Sequence, residues 1–182
     1  MRKVVFRVLG VVALLAFVAS GAAWANLIHG DRVKVKLSTI SGVKTSASGD
    51  AVFELSKDGK TIHYKLTLKT IDNATMAHVH VVGDNGTPAA ILVWIYPTTG
   101  MAPSLREGSF SGMLAEGDIT ADKLLGPMKG GTVKELIEKI QHGTAGVAIH
   151  TKQNGGGELW GVHKEDRKNK TGMTEEKGSS GY

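Results

Sequence analysis

The chain has 182 residues, of which 41% are hydrophobic and 21% are charged, and its formal net charge is +5. This composition is ordinary for a soluble globular protein. Cysteine is absent, which excludes disulfide scaffolds, thiolate zinc sites, iron–sulfur clusters and cysteine nucleophiles. The sequence also lacks a Gly-x-Ser-x-Gly elbow, a His-Glu-x-x-His helix and a phosphate-binding glycine loop with its lysine. We therefore assign no catalytic residue.

Residues 1–25 have the pattern of a secretory signal peptide. Its parts are a positively charged start, an apolar run and a small-residue cleavage site: Arg2, Lys3 and Arg7; residues 8–19; and Ala23-Trp24-Ala25. The apolar run is shorter than the about 20 residues that a membrane span needs. We predict cleavage before Asn26, export to the periplasm or the extracellular space, and no membrane span in the mature chain. The alternative is an uncleaved N-terminal anchor.

The mature chain is nearly neutral. Removal of residues 1–25 takes away three of the 22 basic residues and leaves 19 against 17 acidic residues, in a chain of 157. A domain with this balance offers no electrostatic footprint for nucleic acid, so we predict no nucleic-acid partner.

Strand patterns dominate residues 26–163, which we predict to be one domain. Alternating apolar and polar residues predict strands over 33–38, 51–55 and 62–69, and Asp72-Asn73 breaks the third. Further strands are predicted over 76–82, 89–96, 109–119, 145–151 and 158–163. Many short strands with turns between them favour an all-β, antiparallel sandwich or barrel.

One or two short helices are predicted in the connection before the last two strands. Thr120 precedes a short turn, and Thr132 with Glu135 forms a capping box for a helix that ends at Gly143. Residues 164–182 are polar and show no periodicity. We predict that they form a disordered tail.

The strongest local feature is His78-Val79-His80 in a predicted strand. Residues two apart in a strand face the same side, about 7 Å apart. Two imidazoles so placed can chelate one zinc or copper ion. Met76 lies on the same face, and its thioether would favour Cu(I). The alternative is a pair of polar residues on a solvated face.

A third histidine, His150, lies on the outward face of the predicted strand 145–151. If this strand neighbours the strand 76–82, three imidazoles converge and leave one position open on a metal ion. The alternative is that His150 orders a loop by a hydrogen bond across a turn. His63 and His163 are further candidate ligands on outward positions.

The order of several motifs resembles the CHRD (chordin) domain family over about residues 31–163. The motifs are Ala77-His78-Val79-His80 before a glycine turn, a capped helix, His150-Thr151 in the penultimate strand, and Gly157-Glu158-Leu159-Trp160-Gly161. Trp160 stands where the family has arginine. The resemblance implies a Greek-key β-sandwich of immunoglobulin-like or superoxide-dismutase-like character. It also implies an exported protein of undefined biochemical role, and it keeps Glu158 as an additional candidate ligand. The signalling partners of animal chordin do not transfer to this short chain, and an extracellular or periplasmic protein partner is a separate hypothesis.

Three hypotheses for the function follow. The first is an exported, non-enzymatic binding module with a copper or zinc site formed by His78, His80 and His150. The second is a structural or protein-interaction module without a metal. The third is a copper enzyme of superoxide-dismutase type. The first hypothesis requires imidazole nitrogens within about 4 Å of one another, because metal–nitrogen distances are about 2.0–2.1 Å.

Overall fold

The structure, a computed structural model, describes residues 32–164. The predicted signal peptide (1–25) and the predicted tail (164–182, apart from Lys164) lie outside the described residues. The strands are β1 (Arg32–Thr39), β2 (Ser48–Leu55), β3 (Ile62–Val82), β4 (Pro88–Tyr96), β5 (Arg106–Ile119), β6 (Ala145–Thr151) and β7 (Leu159–Val162). Helix α1 (Val133–Gln141) and two 3-10 turns, Ala121–Lys123 and Gly126–Met128, lie between β5 and β6.

The described strands pair antiparallel in the order β2-β1-β7-β6-β3, and β3 pairs with β2 to close a ring. β4 and β5 also pair with β3 and lie outside this ring. The predicted all-β, antiparallel architecture is confirmed, with the helix in the predicted connection. The pairing forms a closed five-stranded barrel with two extra strands, not specifically the Greek-key sandwich that the resemblance implies.

β3 is one strand of 21 residues where two strands were predicted, so the predicted break at Asp72-Asn73 is wrong. The chain bends there instead of ending the strand. Thr70 and Asn73 have φ angles of 55° and 52°, a conformation that asparagine tolerates better than most residues. β2 and β5 pair with β3 mainly before this bend, whereas β6 and β4 pair with it afterwards.

The bend changes which residues of β3 face the core. Before it, the core residues Ile62, Tyr64, Leu66 and Leu68 carry even numbers. Well after it, the core residues Ala77 and Val79 carry odd numbers. Without this change, the period of two would turn His78 and His80 inward. The bend therefore places both imidazoles on the outer face of the barrel.

The core fills the inside of the barrel and is closed at one end by α1. The barrel interior includes Val33, Val35 and Leu37 of β1, which alternate with exposed polar residues. Helix α1 begins at the predicted capping box, in which Thr132 Oγ1 accepts from the Glu135 amide and Glu135 Oε2 accepts from the Thr132 amide. Its apolar stripe packs against β1, β2 and β6. Within residues 32–164, no helix is long and apolar enough to cross a membrane.

Candidate metal centre

The pairing of β3 with β6 brings together residues that are about 70 positions apart in the sequence. Met76 lies opposite His150, His78 opposite Ala148, and His80 opposite Gly146. Directly opposed residues of paired strands share one face of the sheet. The imidazoles of His78, His80 and His150 therefore project from the same face, and the small residues opposite His78 and His80 leave room for their rings.

The three imidazoles converge. His78 Nδ1 lies 3.2 Å from His150 Nε2, and one ring nitrogen of each histidine lies within 4.8 Å of the others. Two nitrogens that share one tetrahedral ion at 2.0–2.1 Å are about 3.3 Å apart. The group of three nitrogens spans up to 4.8 Å, wider than a single ion requires, so the rings must rotate slightly to bring one nitrogen of each histidine to one ion.

The cluster lies on the outer face of the barrel and is nevertheless buried. The exposed fractions of His78, His80 and His150 are 2%, 6% and 7%. The Trp94 ring packs edge-on against His78 with centroids 4.2 Å apart, and the Trp160 ring lies 6.3 Å from His80. The alternative of a solvated face is therefore wrong, and the covering position of the two tryptophans was not predicted from the sequence.

Trp160 is held over the cluster by two features. Its Nε1–H donates to the Gly86 carbonyl at 2.8 Å. A Cβ built on Gly146 would lie 2.6 Å from the Trp160 ring, so only glycine allows the indole to approach β6 this closely. The glycine opposite His80 is the signal from which this cover could have been predicted.

Two backbone carbonyls fix the tautomers of the histidines, one at the start of β4 and one in the loop between β6 and β7. His80 Nδ1–H donates to the Ala89 carbonyl at 2.8 Å, and His150 Nδ1–H donates to the Gly155 carbonyl at 2.9 Å. A carbonyl only accepts, so Nε2 carries the lone pair in both rings. His150 Nε2 accepts from His78 Nδ1–H.

Two ring nitrogens remain without partners. His78 Nε2 and His80 Nε2 are buried and have no hydrogen-bond partner among residues 32–164. A buried acceptor without a partner costs about 1–3 kcal/mol. A protein retains such groups at a cost in stability, and a bound ion is one way to satisfy their lone pairs.

Burial keeps the three imidazoles neutral. It lowers the pKa of His78 to about 3, with smaller contributions from His150 and His80. Burial also lowers the pKa values of His80 and His150, partly opposed by their bonds to Ala89 and Gly155. Neutral imidazole is the form that binds metal, so protons do not compete with an ion at neutral pH.

The other candidate ligands are engaged in different ways. Met76 is half-buried on the same face, opposite His150. Glu158 is buried, and its Oε2 accepts from Thr151 Oγ1 at 2.7 Å and Asn154 Nδ2 at 2.8 Å. His63 pairs with Asp118, and His163 Nδ1–H donates to the Lys34 carbonyl at 3.0 Å. Neither of these last two histidines joins the cluster.

Comparison with known proteins identifies the family to which the chain belongs. A search of curated proteins found no match, and a search of solved structures found none either. The family model of the CHRD domain matches residues 33–162. This range contains all three clustered histidines and every strand of the ring, except for the first residue of β1. Because one family model accounts for nearly the whole described chain, the protein belongs to the CHRD domain family.

Proposed function

We propose that this chain is an exported, non-enzymatic binding module that holds a transition-metal ion, copper or zinc, through His78, His80 and His150. The observation that carries the proposal is the pair of buried, unpartnered Nε2 atoms of His78 and His80 beside His150. Three neutral imidazoles are a common ligand set for zinc and copper.

The hydrogen bonds around the cluster support this function. Metal-binding histidines usually donate their second ring N–H to a carbonyl or carboxylate, which fixes the ring and its tautomer. His80 and His150 donate in this way to Ala89 and Gly155. Three imidazoles leave a fourth position on a tetrahedral ion, and Met76 is the candidate ligand on the same face that would favour Cu(I).

The test is isothermal titration calorimetry of the full chain with Zn(II), with Cu(II), and with Cu(I) under anaerobic conditions. We expect one ion per chain, with affinity at least about tenfold weaker in His78→Ala and in His80→Ala. His63→Ala is the matched control, because His63 lies on the same strand and also faces outward but pairs with Asp118. Binding that is equal in the wild-type chain and both cluster variants would overturn the proposal.

A second candidate function is a structural module whose histidines order loops. It is favoured by the same bonds, since His80 ties β3 to the start of β4 and His150 ties down the loop before β7. The two functions differ in their response to a chelator. The metal-binding module loses thermal stability when EDTA is added to the purified chain, whereas the purely structural module keeps the same Tm.

The copper-enzyme alternative is tested by superoxide scavenging of the copper-loaded chain. We expect no rate above that of His78→Ala, because the rings are covered by Trp94 and Trp160.

Export is tested by the mass of the protein recovered outside the cytoplasm. We expect a chain that begins at Asn26, and a chain that retains residues 1–25 would indicate an uncleaved anchor instead.

A further inference from the structure

A groove of about 610 Å³ lies on the outer face of the barrel where β1 meets β7. Its position is separate from the histidine cluster, although the two share Trp160 as a wall. We call it the β1–β7 groove, and its principal lining residues are Lys34, Lys36, Trp160, Val162, His163 and Lys164.

The sides of the groove are cationic. Three lysines line it, and none of the described lining residues is acidic. Asp50 of the adjacent strand β2 pairs with Lys34 at 3.1 Å. Both side chains of this pair are exposed, at 54% and 37%, so a competing carboxylate can reach the Lys34 ammonium.

The floor of the groove is apolar. The Trp160 indole is half-buried, and its only polar atom already donates to the Gly86 carbonyl. Val162 continues the floor along β7. An occupant therefore meets hydrocarbon and an aromatic surface at the bottom and ammonium groups at the sides.

The spacing of these groups follows the backbone of β1. Lys34 and Lys36 are two residues apart on one face of a strand, which separates them by about 6.6–6.8 Å. Trp160 lies opposite Ser38, two residues further along β1. Along β1 the groove thus presents the Lys34 ammonium, the Lys36 ammonium and the Trp160 ring at intervals of two residues.

We propose that the β1–β7 groove docks an extended, acidic peptide segment of a partner protein. An extended peptide repeats its side chains at the same interval, because residues i, i+2 and i+4 of a strand face one side. The matching sequence carries two carboxylates and one apolar residue at alternate positions. The carboxylates bind Lys34 and Lys36, and the apolar side chain packs on Trp160.

The test measures fluorescence anisotropy of labelled peptides with the full chain at low ionic strength. The first peptide carries glutamate, glutamate and leucine at alternate positions, and the second replaces both glutamates with glutamine. We expect binding of the first peptide only. We expect the Kd to rise at least about tenfold in Lys34→Ala/Lys36→Ala, and binding to weaken steeply with salt.

Two variants make the test specific for the groove. Asp50→Asn removes the competing carboxylate from Lys34, so we expect the peptide to bind about two- to threefold more tightly. Lys69→Ala is the matched control, because Lys69 is an exposed lysine on β3 that does not line the groove, and we expect an unchanged Kd. The substituted lysines are exposed, so the variants keep their fold, which circular dichroism verifies.

Several outcomes overturn the proposal. One is an unchanged Kd in the double lysine variant. Another is equal binding of a peptide with adjacent rather than alternate glutamates, because the groove would then recognise charge without spacing. A third is that an oligouronate or a vesicle containing anionic lipid binds with the affinity expected of the peptide while the peptide does not bind. A peptide that gains affinity only after residues 165–182 are removed would identify the chain's own C-terminal segment as the occupant.

Discussion

Outward-facing histidines in the two halves of β3 differ in burial and in hydrogen bonding. Before the bend, His63 faces outward among charged neighbours and pairs with Asp118, whose side chain is 57% exposed. After the bend, His78 and His80 also face outward, yet they are buried with unpartnered nitrogens. The strand and the residue type are the same, so the neighbouring strands make the difference.

Neighbouring strands act through the size and shape of the opposing side chains. Next to His63, β2 and β5 contribute Glu54 and Asp118. Next to His78 and His80, β6 contributes only alanine and glycine, and the freed space is covered by two tryptophans. A histidine on a sheet surface becomes buried and keeps an unpartnered nitrogen when its neighbours are too small to pair with it and an aromatic residue covers the gap.

The largest expected effect is steric. Gly146→Ala places a Cβ about 2.5 Å from the Gly161 carbonyl oxygen and 2.6 Å from the Trp160 ring. Because backbone cannot move aside cheaply, we expect the free energy of unfolding to fall by about 2–3 kcal/mol in urea denaturation. Gly155→Ala is the control, since its Cβ meets nothing within 4 Å. Equal stability of the two variants would show that the close approach of Trp160 does not shape this half.

The next effect is a pH dependence of stability in the metal-free chain. Burial holds the pKa of folded His78 at about 3, against an ordinary value of 6.5. Below pH 6.5 the unfolded chain binds a proton that the folded chain does not, so stability is full above pH 6.5 and is lost as the pH falls toward 3. The expected loss is about 1.4 kcal/mol per pH unit for this histidine.

The pH dependence is measured by urea denaturation in EDTA between pH 7 and pH 5. The lowered pKa values of His80 and His150 act with the same sign. His78→Leu removes one titrating group, so we expect a shallower dependence in that variant. An identical slope in the variant would mean that His78 contributes nothing to it.

A smaller loss of stability is expected when the hydrogen bond that holds Trp160 over the histidine cluster is removed. Trp160→Phe removes the 2.8 Å hydrogen bond to the Gly86 carbonyl while keeping an aromatic ring. A hydrogen bond of this kind contributes about 1 kcal/mol to the free energy of unfolding. We expect a loss of that size in urea denaturation. A variant as stable as the wild-type chain would indicate that packing alone holds the cover.

The smallest effect is expected in the exposed half. Asp118→Asn removes the carboxylate beside His63, and an exposed ion pair contributes at most about 0.5 kcal/mol, less at high salt. Urea denaturation at low and high salt checks this expectation. A loss above about 2 kcal/mol would remove the contrast between the two halves of β3.

Much of the fold could be predicted because strand periodicity and capping are local. The alternation in β1 and the Thr132–Glu135 capping box both correspond to observed elements. The bend in β3 was predicted as a break, because a turn-forming Asp72-Asn73 pair signals an interruption without saying whether hydrogen bonding continues across it. Barrel closure between β2 and β3 depends on long-range pairing that no local pattern encodes.

The sequence by itself determined that His78 and His80 share a face, because a strand repeats every two residues. It also determined the family, through motifs in a fixed order along residues 33–162. Only the tertiary structure decided that His150 joins this face from β6 and that Trp94 and Trp160 bury the group. These outcomes depend on which distant strands pair and how their side chains fill space, and neither is a property of any single segment.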